Sequence, residues 1–436
     1  MPATESHRVV IVGGGAGGLE LAAKLGRQFG PQRVVLVDKV DTHIWKPSLH
    51  EVAAGTLDIH REGLSYFMLA RDSGFTFMLG ELKTLDKESR CLQLQPVFSA
   101  LGEEVFPARE LHYDSLVLAV GSTSNFFGTP GASQHAIALD STAEAERFRL
   151  KFLHLLLTGN RRQETRPGPL LNIGIVGGGA TGVELAAELL EACANASFYG
   201  LNQLDSGRDI CITLLEGGDR ILSALPKKMS DAAQTLLLDR GVQVRTSVRI
   251  ASVEADALYD SQGQRYPVDL CVWAAGIKAP EFLSQLGLKT NAINQVIVDS
   301  ALCSSDPDIF AIGDCAQASW QGQEGFLPAR AQVAHQQAKF LLKTLSRRLR
   351  SQAPEPRVFT FSDYGSLVSV GHNRGVGSLM GVLSGKSWFV EGLLARLMYM
   401  SLHLMHHLAV LGGLRTASLA LGRLLIKRGA PRVKLH

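Results

Sequence analysis

Gly13-Gly14-Gly15-Ala16-Gly17-Gly18 and Gly177-Gly178-Gly179-Ala180-Thr181-Gly182 repeat one spacing, G-x-G-x-x-G, in a chain of 436 residues. Glycines so spaced cradle a pyrophosphate. The first makes a tight turn, the second admits the phosphates, and the third lets the next helix pack on the preceding strand. Each run is followed by an acid: Asp38, twenty residues after Gly18, and Glu216, after a longer insertion. An acid there accepts a hydrogen bond from a ribose hydroxyl of adenosine. Glu216 also repels a 2′-phosphate, which favours NADH over NADPH. Two dinucleotide sites on one polypeptide point to electron transfer between the bound molecules.

The elements around these residues repeat too. Val9-Val10-Ile11-Val12 and Ile173-Gly174-Ile175-Val176 predict the strands that enter the turns, and an apolar-periodic helix follows each. Arg33 to Asp38 and Ile210 to Glu216 predict the second strands. Tyr113 to Gly121 and Val268 to Gly276 close the halves with an acid, an apolar run and an Ala-x-Gly or Ala-Ala-Gly ending. Between them, Asp140-Ser141 caps a helix over Thr142 to Leu157, Arg161 to Pro169 forms a loop, and Ser230 to Asp239 forms another helix. Ser346 to Pro356 links to the C-terminal part. The fold class is α/β, with two Rossmann-like domains and a C-terminal amphipathic-helical region.

Composition excludes some classes. With 46% hydrophobic and 19% charged residues the chain is globular, and a net charge of +3 gives no basic field for nucleic acid. The charge is uneven. From Glu391 onward there is one acid against seven bases, +6, which leaves −3 for the rest. The six cysteines are scattered without a C-x-x-C and suit a reducing compartment. The first strand begins so early that no signal peptide is expected ahead of it.

A third signature, Asp308-Ile309-Phe310-Ala311-Ile312-Gly313-Asp314-Cys315-Ala316, is a strand ending in Gly-Asp. It resembles the segment of the two-dinucleotide flavoproteins whose Asp holds the ribityl chain of FAD. His43-Ile44-Trp45-Lys46-Pro47-Ser48-Leu49-His50-Glu51-Val52-Ala53-Ala54-Gly55 and Ala331-Gln332-Val333-Ala334-His335-Gln336-Gln337-Ala338 narrow the resemblance. With the tail, they are similar to type II NADH dehydrogenase, the single-subunit NADH:quinone oxidoreductase, over essentially the whole chain.

That resemblance implies FAD at the first turn, with Gly13, Gly15, Ala16, Gly17, Gly18, Asp38, Lys39, Lys46, Gly121, Asp314, Gln332, Ala334 and His335 around it. It implies NADH at the second, with Gly177, Gly179, Gly182, Glu216, Ala275 and Gly276. It places Glu184 between nicotinamide and flavin, and Gln332 and Gln336, one helical turn apart, against flavin and quinone. The implied domains are 1–121 with 290–345 for FAD, 122–289 for NADH, and 346–436 for membrane anchoring and dimerisation. No metal is expected. Disulfide relay is disfavoured, because Asp38 to Leu69 holds no cysteine and so no thiolate to take electrons. A sulfide:quinone reductase would need reactive cysteines, and Cys303 and Cys315 read as structural. A soluble NADH-dependent reductase of a protein or small molecule, ferredoxin-reductase-like, is the alternative.

The tail reads as a membrane device. Between Arg396 and Arg415 no residue is formally charged, but His403, His406, His407 and Gly412-Gly413 argue against a spanning helix. Leu393, Leu397, Leu404, Leu408 and Leu411 share one face, beside a strip of Arg396, His403 and His407. Leu414, Ala417, Leu421 and Leu424 then oppose Arg415, Arg423 and Lys427. Trp388, Met398, Tyr399, Met400 and Met405 suit a lipid boundary or a homodimer contact equally. The three histidines read as a solvated face in preference to metal ligands. The expected location is peripheral, on the cytoplasmic face of the inner membrane, with a membrane quinone as acceptor.

Overall fold

The structure is a computed structural model that describes residues 8–161, 169–198, 208–371, 375–380, 387–391 and 393–426. Most of the Arg161–Pro169 loop and the basic residues from Lys427 onward lie outside the described residues, as do the side chains of Trp388, Leu393, Arg396, Leu397, Met398, Tyr399, Met400, Arg423 and Leu424.

Two parallel five-stranded sheets form the frame. In the first, the order is Ile309–Ala311, Ser115–Leu118, Val9–Val12, Val34–Asp38, Thr76–Leu79. In the second, it is Ala136–Ala138, Leu270–Trp273, Leu171–Val176, Ile210–Leu215, Gln243–Arg245. The central strands are short runs of β-branched and apolar residues buried on both faces, as parallel sheets require. Each motif strand lies between its partner strand and its closing strand. The outermost strand beside each closing strand comes from elsewhere in the chain. The first sheet takes Ile309–Ala311 from after the second half, and the second takes Ala136–Ala138 from before it.

The halves meet just past their closing glycines. Thr123–Ser124, after Gly121, pairs antiparallel with Ile277–Lys278, after Gly276. This pairing joins the segments that leave the carboxyl ends of the two closing strands, the ends at which ligands of such sheets bind.

The helices follow local chemistry. Thr142–Arg161 starts in a reciprocal cap: Ser141 Oγ accepts from the Glu144 N–H at 3.3 Å, and Glu144 accepts from the Asp140 N–H at 3.2 Å. The helix expected from Ser230 begins earlier, as Lys227–Asp239, because Pro226 is fixed in the extended conformation that leads into it. Ala331–Leu349 runs into the expected Ser346–Pro356 link, because Leu345 and Leu349 continue its buried stripe. It packs along Ala16–Phe29.

One helix crosses between halves. Leu49–Ala54 follows the first acid, yet Leu49, Val52, Ala53, Ala54 and Leu57 share a core with Val183, Ala186, Ala187 and Phe148 of the second half. Val368 and Val370, from the C-terminal sheet Gly365–Ser369, Gly375–Met380, Ser387–Glu391, join that same core. The last described elements are two helices, Leu393–Leu411 and Gly413–Ile426. Among the described residues, no helix is long and apolar enough to cross a membrane.

Candidate functional site

The two glycine turns are near copies. Gly13 N–H donates to Val37 O and Gly177 N–H to Leu215 O, both at 2.8 Å. Their φ values, +106° and +111°, are in the region that favours glycine. A Cβ on Gly18 would lie 1.9 Å from Gly13 O, and one on Gly182 2.0 Å from Gly177 O. Strand and helix touch backbone to backbone there. The middle glycines differ: a Cβ on Gly15 meets nothing nearer than 3.9 Å, and one on Gly179 nothing within 4 Å. That open space borders the helix N-termini. Neither helix has an acid in its first turn, and Gly15 supplies no side-chain cap. The N–H groups there suit an anion. Asp38 and Glu216 brace the turns by accepting from Gly14 N–H and Gly178 N–H, both at 2.6 Å. Residues of these types in this arrangement fit two dinucleotides.

The Gly313-Asp314 turn is held from three sides. Ser122 Oγ donates to Asp314 Oδ2 at 2.8 Å, and Lys46 Nζ donates to Ser122 O at 2.6 Å. Gln295 Nε2 donates to Asp314 O at 2.9 Å. Gly313 N–H donates to Gln337 Oε1 at 2.7 Å. Lys46 thus reaches the Asp314 turn through Ser122. Lys39 is exposed. Gln337, which sequence reasoning passed over, is only 1% exposed. Its signal was available, since it lies four residues from both Val333 and Leu341 on the buried stripe.

Glu20 and Glu184 stand at matching positions, two residues past Gly18 and Gly182. Glu20 is fully buried, 2.5 Å from Lys24 Nζ and 2.5 Å from His335 Nδ1. His335 is therefore tied to the helix of the first turn. Ala334 sits on that turn as well, with its carbonyl oxygen 2.9 Å from where a Gly17 Cβ would be.

Glu184 is 6% exposed. Its Oε1 accepts from Ser369 N–H at 3.1 Å, and its Oε2 lies 3.5 Å from His50 Nδ1. Burial pushes its pKa well above the usual carboxylate range, and the nearby Glu51 and Glu188 carboxyls add to this against the Ser369 bond. Burial also lowers His50, to about 4, against a bond to the Pro47 backbone. Burial thus works against charge on both members, raising the acid and lowering the base. Three parts of the chain meet here: the Leu49–Ala54 helix through His50, the second glycine turn through Glu184, and the C-terminal sheet through Ser369. His50 escaped notice in the sequence because only the tertiary crossing brings it there.

Gln332 and Gln336 share a face, and both amides engage the segment that follows the helix. Gln332 Nε2 donates to Asp363 Oδ1 at 3.1 Å and Gly365 O at 3.0 Å. Gln336 Nε2 donates to Ser362 O at 2.7 Å and Oε1 accepts from Ser362 N–H at 3.0 Å. Ala275, next to Gly276, accepts from Trp273 Nε1 at 3.1 Å.

The tail histidines depart from expectation. They do not form a solvated face: His406 and His407 are buried, while Met405 and Leu408 are exposed. His406 Nε2 lies 2.9 Å from His43 Nε2, and its ring lies tilted against Trp45 with centroids 4.4 Å apart. His43 Nδ1 meets Gly14 O at 3.0 Å. A carbonyl only accepts, so Nδ1 carries the proton and His406 Nε2 must donate to His43. The last helices thus dock on the first glycine turn. Burial pushes the Cys193, Cys271 and Cys315 thiols up to about 12 and Cys303 to about 11, which disfavours a thiolate at those four positions.

Residues 7–338 match the family described as pyridine nucleotide-disulphide oxidoreductase. Over 445 aligned residues the chain is 39% identical to a type II NADH:quinone oxidoreductase of Haemophilus influenzae, covering 98% of this chain and 99% of that protein. A Staphylococcus aureus protein of the same description is 25% identical over 388 residues, covering 87% and 91%. A solved structure of NDH2 from Plasmodium falciparum in complex with NADH matches with a TM-score of 0.80 at 18% identity, over 99% of this chain and all of that one. At that identity the match speaks for the fold.

Proposed function

Because this chain belongs to the pyridine nucleotide-disulphide oxidoreductases and, among them, to the type II NADH:quinone oxidoreductases, we propose how its residues share the work of moving electrons from NADH through FAD to a quinone. The cofactors supply the hydride and two-electron chemistry; the protein binds, orients and handles protons. The first turn, with Gly13, Gly15, Ala16, Gly17, Gly18 and Asp38, holds the FAD pyrophosphate and ribose. Lys46, Gly121 and Asp314 line its middle, and Ala334 and His335 close the side formed by the Ala331–Leu349 helix. Lys39 is left to solvent near the adenosine end. Gly177, Gly179, Gly182 and Glu216 hold NADH, with Ala275 and Gly276 beyond the closing strand.

The observation that carries this reading is the burial of Glu184 against His50 of the first half and Ser369 of the C-terminal sheet, where burial pushes its carboxyl well above the usual range. A neutral carboxylic acid there can donate a proton or a hydrogen bond without placing a charge beside the nicotinamide. The test is a stopped-flow comparison of half-reactions in FAD-loaded protein with NADH and a short-chain quinone. Gln332→Ala and Gln336→Ala should slow quinone reduction more than flavin bleaching by NADH. Equal slowing of both steps would remove these residues from the quinone side and leave them as braces of residues 362–365.

The attachment to a membrane is part of the proposal. Met405, Leu408, Leu414, Leu419 and Leu421 are exposed on the last two helices. Phe67 and Met68 are exposed on Tyr66–Ser73, whose Asp72 pairs with Arg415. This apolar surface beside a basic tail suits the anionic cytoplasmic face of a bilayer. Flotation with anionic vesicles tests it. Removing residues 391–436 should abolish flotation, and a dimer that dissociates instead would assign the surface to a second copy.

A further inference from the structure

We propose that Glu51, His50 and Glu184 form a proton relay from solvent to the junction of the two cofactor sites. His50 and Glu51 are positioning residues in it, acting on the proton of Glu184 without touching substrate. The inference rests on the placement of Glu184 at that junction.

The three groups lie in a row, with the buried His50 ring between a part-exposed carboxyl and a nearly buried one. Glu51 has a side chain 28% exposed, with Oε1 3.9 Å from His50 Nε2. His50 is 1% exposed, with Nδ1 3.5 Å from Glu184 Oε2, and Glu184 is 8% exposed by side chain. His50 Nε2 is buried with no hydrogen-bond partner. The ring bonds the Pro47 backbone, so that bond falls to Nδ1. A carbonyl only accepts, so Nδ1 bears the proton and Nε2 presents a buried, unpaired lone pair aimed towards Glu51. Buried polar atoms without partners are rare and call for an explanation. A base with a carboxyl on each side provides one. Small rotamer changes or one bridging water close both gaps.

The remaining charges nearby do not short-circuit the row. Glu188 is held by Thr56 Oγ at 2.9 Å, Glu191 lies beside Arg240 at 3.5 Å, and Lys46 is bonded to Ser122.

The step balances without any redox change. Once Glu184 has given up its proton, its carboxylate takes the Nδ1 proton of His50 while His50 Nε2 takes the proton of a protonated Glu51. An O–H bond breaks at Glu51 and an N–H bond forms at Nε2. The Nδ1–H bond breaks and an O–H bond forms at Glu184. Glu51 reloads from water, and a water that takes the Nε2 proton and returns one to Nδ1 restores the starting tautomer. Concerted transfer avoids a buried imidazolium, which this site would disfavour.

The test uses FAD-loaded full-length protein with NADH and a short-chain quinone, in light and heavy water. His50→Ala should lower kcat about 100-fold, raise the solvent isotope effect, and regain activity with added 4-methylimidazole. Glu51→Gln should lower kcat several-fold with the same isotope signature. His50→Gln preserves packing and should remain slow. Wild-type kcat and isotope effect in His50→Ala or Glu51→Gln, or full activity in His50→Gln, would overturn the relay. Glu184→Gln separates the two ideas. If it is slow while the His50 and Glu51 variants are not, only the relay fails; if it is silent, the junction reading fails with it.

Discussion

Glu20 and Glu184 occupy one position in two copies of the same turn, and their surroundings treat them oppositely. Four residues on, the first helix offers Lys24 and the second offers Glu188. Glu20 is bonded to Lys24 and to His335 from the Ala331–Leu349 helix. Glu184 meets His50, which burial holds uncharged, and the field of two further carboxyls. The first acid is a strut between helices; the second is a buried acid whose surroundings disfavour its charge. The turns themselves differ for the same reason. Gly17 is needed because the carbonyl of Ala334 comes within 2.9 Å of its would-be Cβ. At the corresponding place in the second turn Thr181 is exposed. A local code is thus repeated, and what packs on each copy decides what it does.

The largest test of this comparison is to fill each turn. Gly18→Ala and Gly182→Ala place a methyl against a backbone oxygen in either case. Gly18→Ala should yield protein without flavin absorbance. Gly182→Ala should keep its flavin but lose bleaching by NADH more than 100-fold, on the order of 3 kcal/mol. Flavin loss from the second variant alone would reverse the assignment of the turns.

The matched acids come next. Glu184→Gln should reduce kcat about 100-fold with little change in unfolding midpoint. Glu20→Gln should do the reverse, costing about 2 kcal/mol of stability by stranding Lys24 and His335 while kcat per bound flavin holds. Matching kinetic losses in the two variants would erase the contrast drawn above.

A smaller effect distinguishes the acids at the strand ends. Glu216→Arg should move the NADH to NADPH preference in kcat/KM by roughly tenfold towards NADPH. Asp38→Asn should leave that ratio alone while weakening FAD retention. An unmoved ratio in Glu216→Arg would take the adenosine ribose away from Glu216.

A pH effect concerns two buried histidines, His43 against the first turn and His50 beside Glu184. His43 and His50 are both lowered from the ordinary 6.5 to about 4, chiefly by burial. Unfolded imidazoles bind protons at about 6.5 and the folded ones do not until about 4. Their contribution is therefore complete above 6.5 and is lost as pH falls from 6.5 through about 4. The unfolding midpoint should drop across that window, and His43→Asn should flatten the drop. A midpoint that holds steady between pH 6.5 and 4 would show that neither ring stays neutral in the fold.

Much of the frame was legible before any coordinates. Val9–Val12 and Ile173–Val176 are short apolar runs that lead directly into glycine, the pattern of a buried strand before a tight turn. Asp38 and Glu216 end the adjacent strands, so their place beside the turns follows from strand length alone. The swap of outer strands, Ile309–Ala311 for one sheet and Ala136–Ala138 for the other, was less visible, because three residues carry too little pattern to name a partner. The tail histidines misled for a related reason. Polar residues on a helix read as solvated until another polar group, here His43, proves to be waiting for them.

The sequence by itself determined two nucleotide cradles, their order and their acids, because turn geometry and hydrogen-bonding capacity are properties of neighbouring residues. Only the tertiary structure decided the rest. It carried the Leu49–Ala54 helix out of its own half to set His50 against Glu184. It laid Lys46 over Ser122 and Asp314, and docked His406 on the first turn. Those pairings join residues tens to hundreds of positions apart, and burial then sets which groups are charged. Spacing along the chain encodes neither the partner nor the dielectric around it.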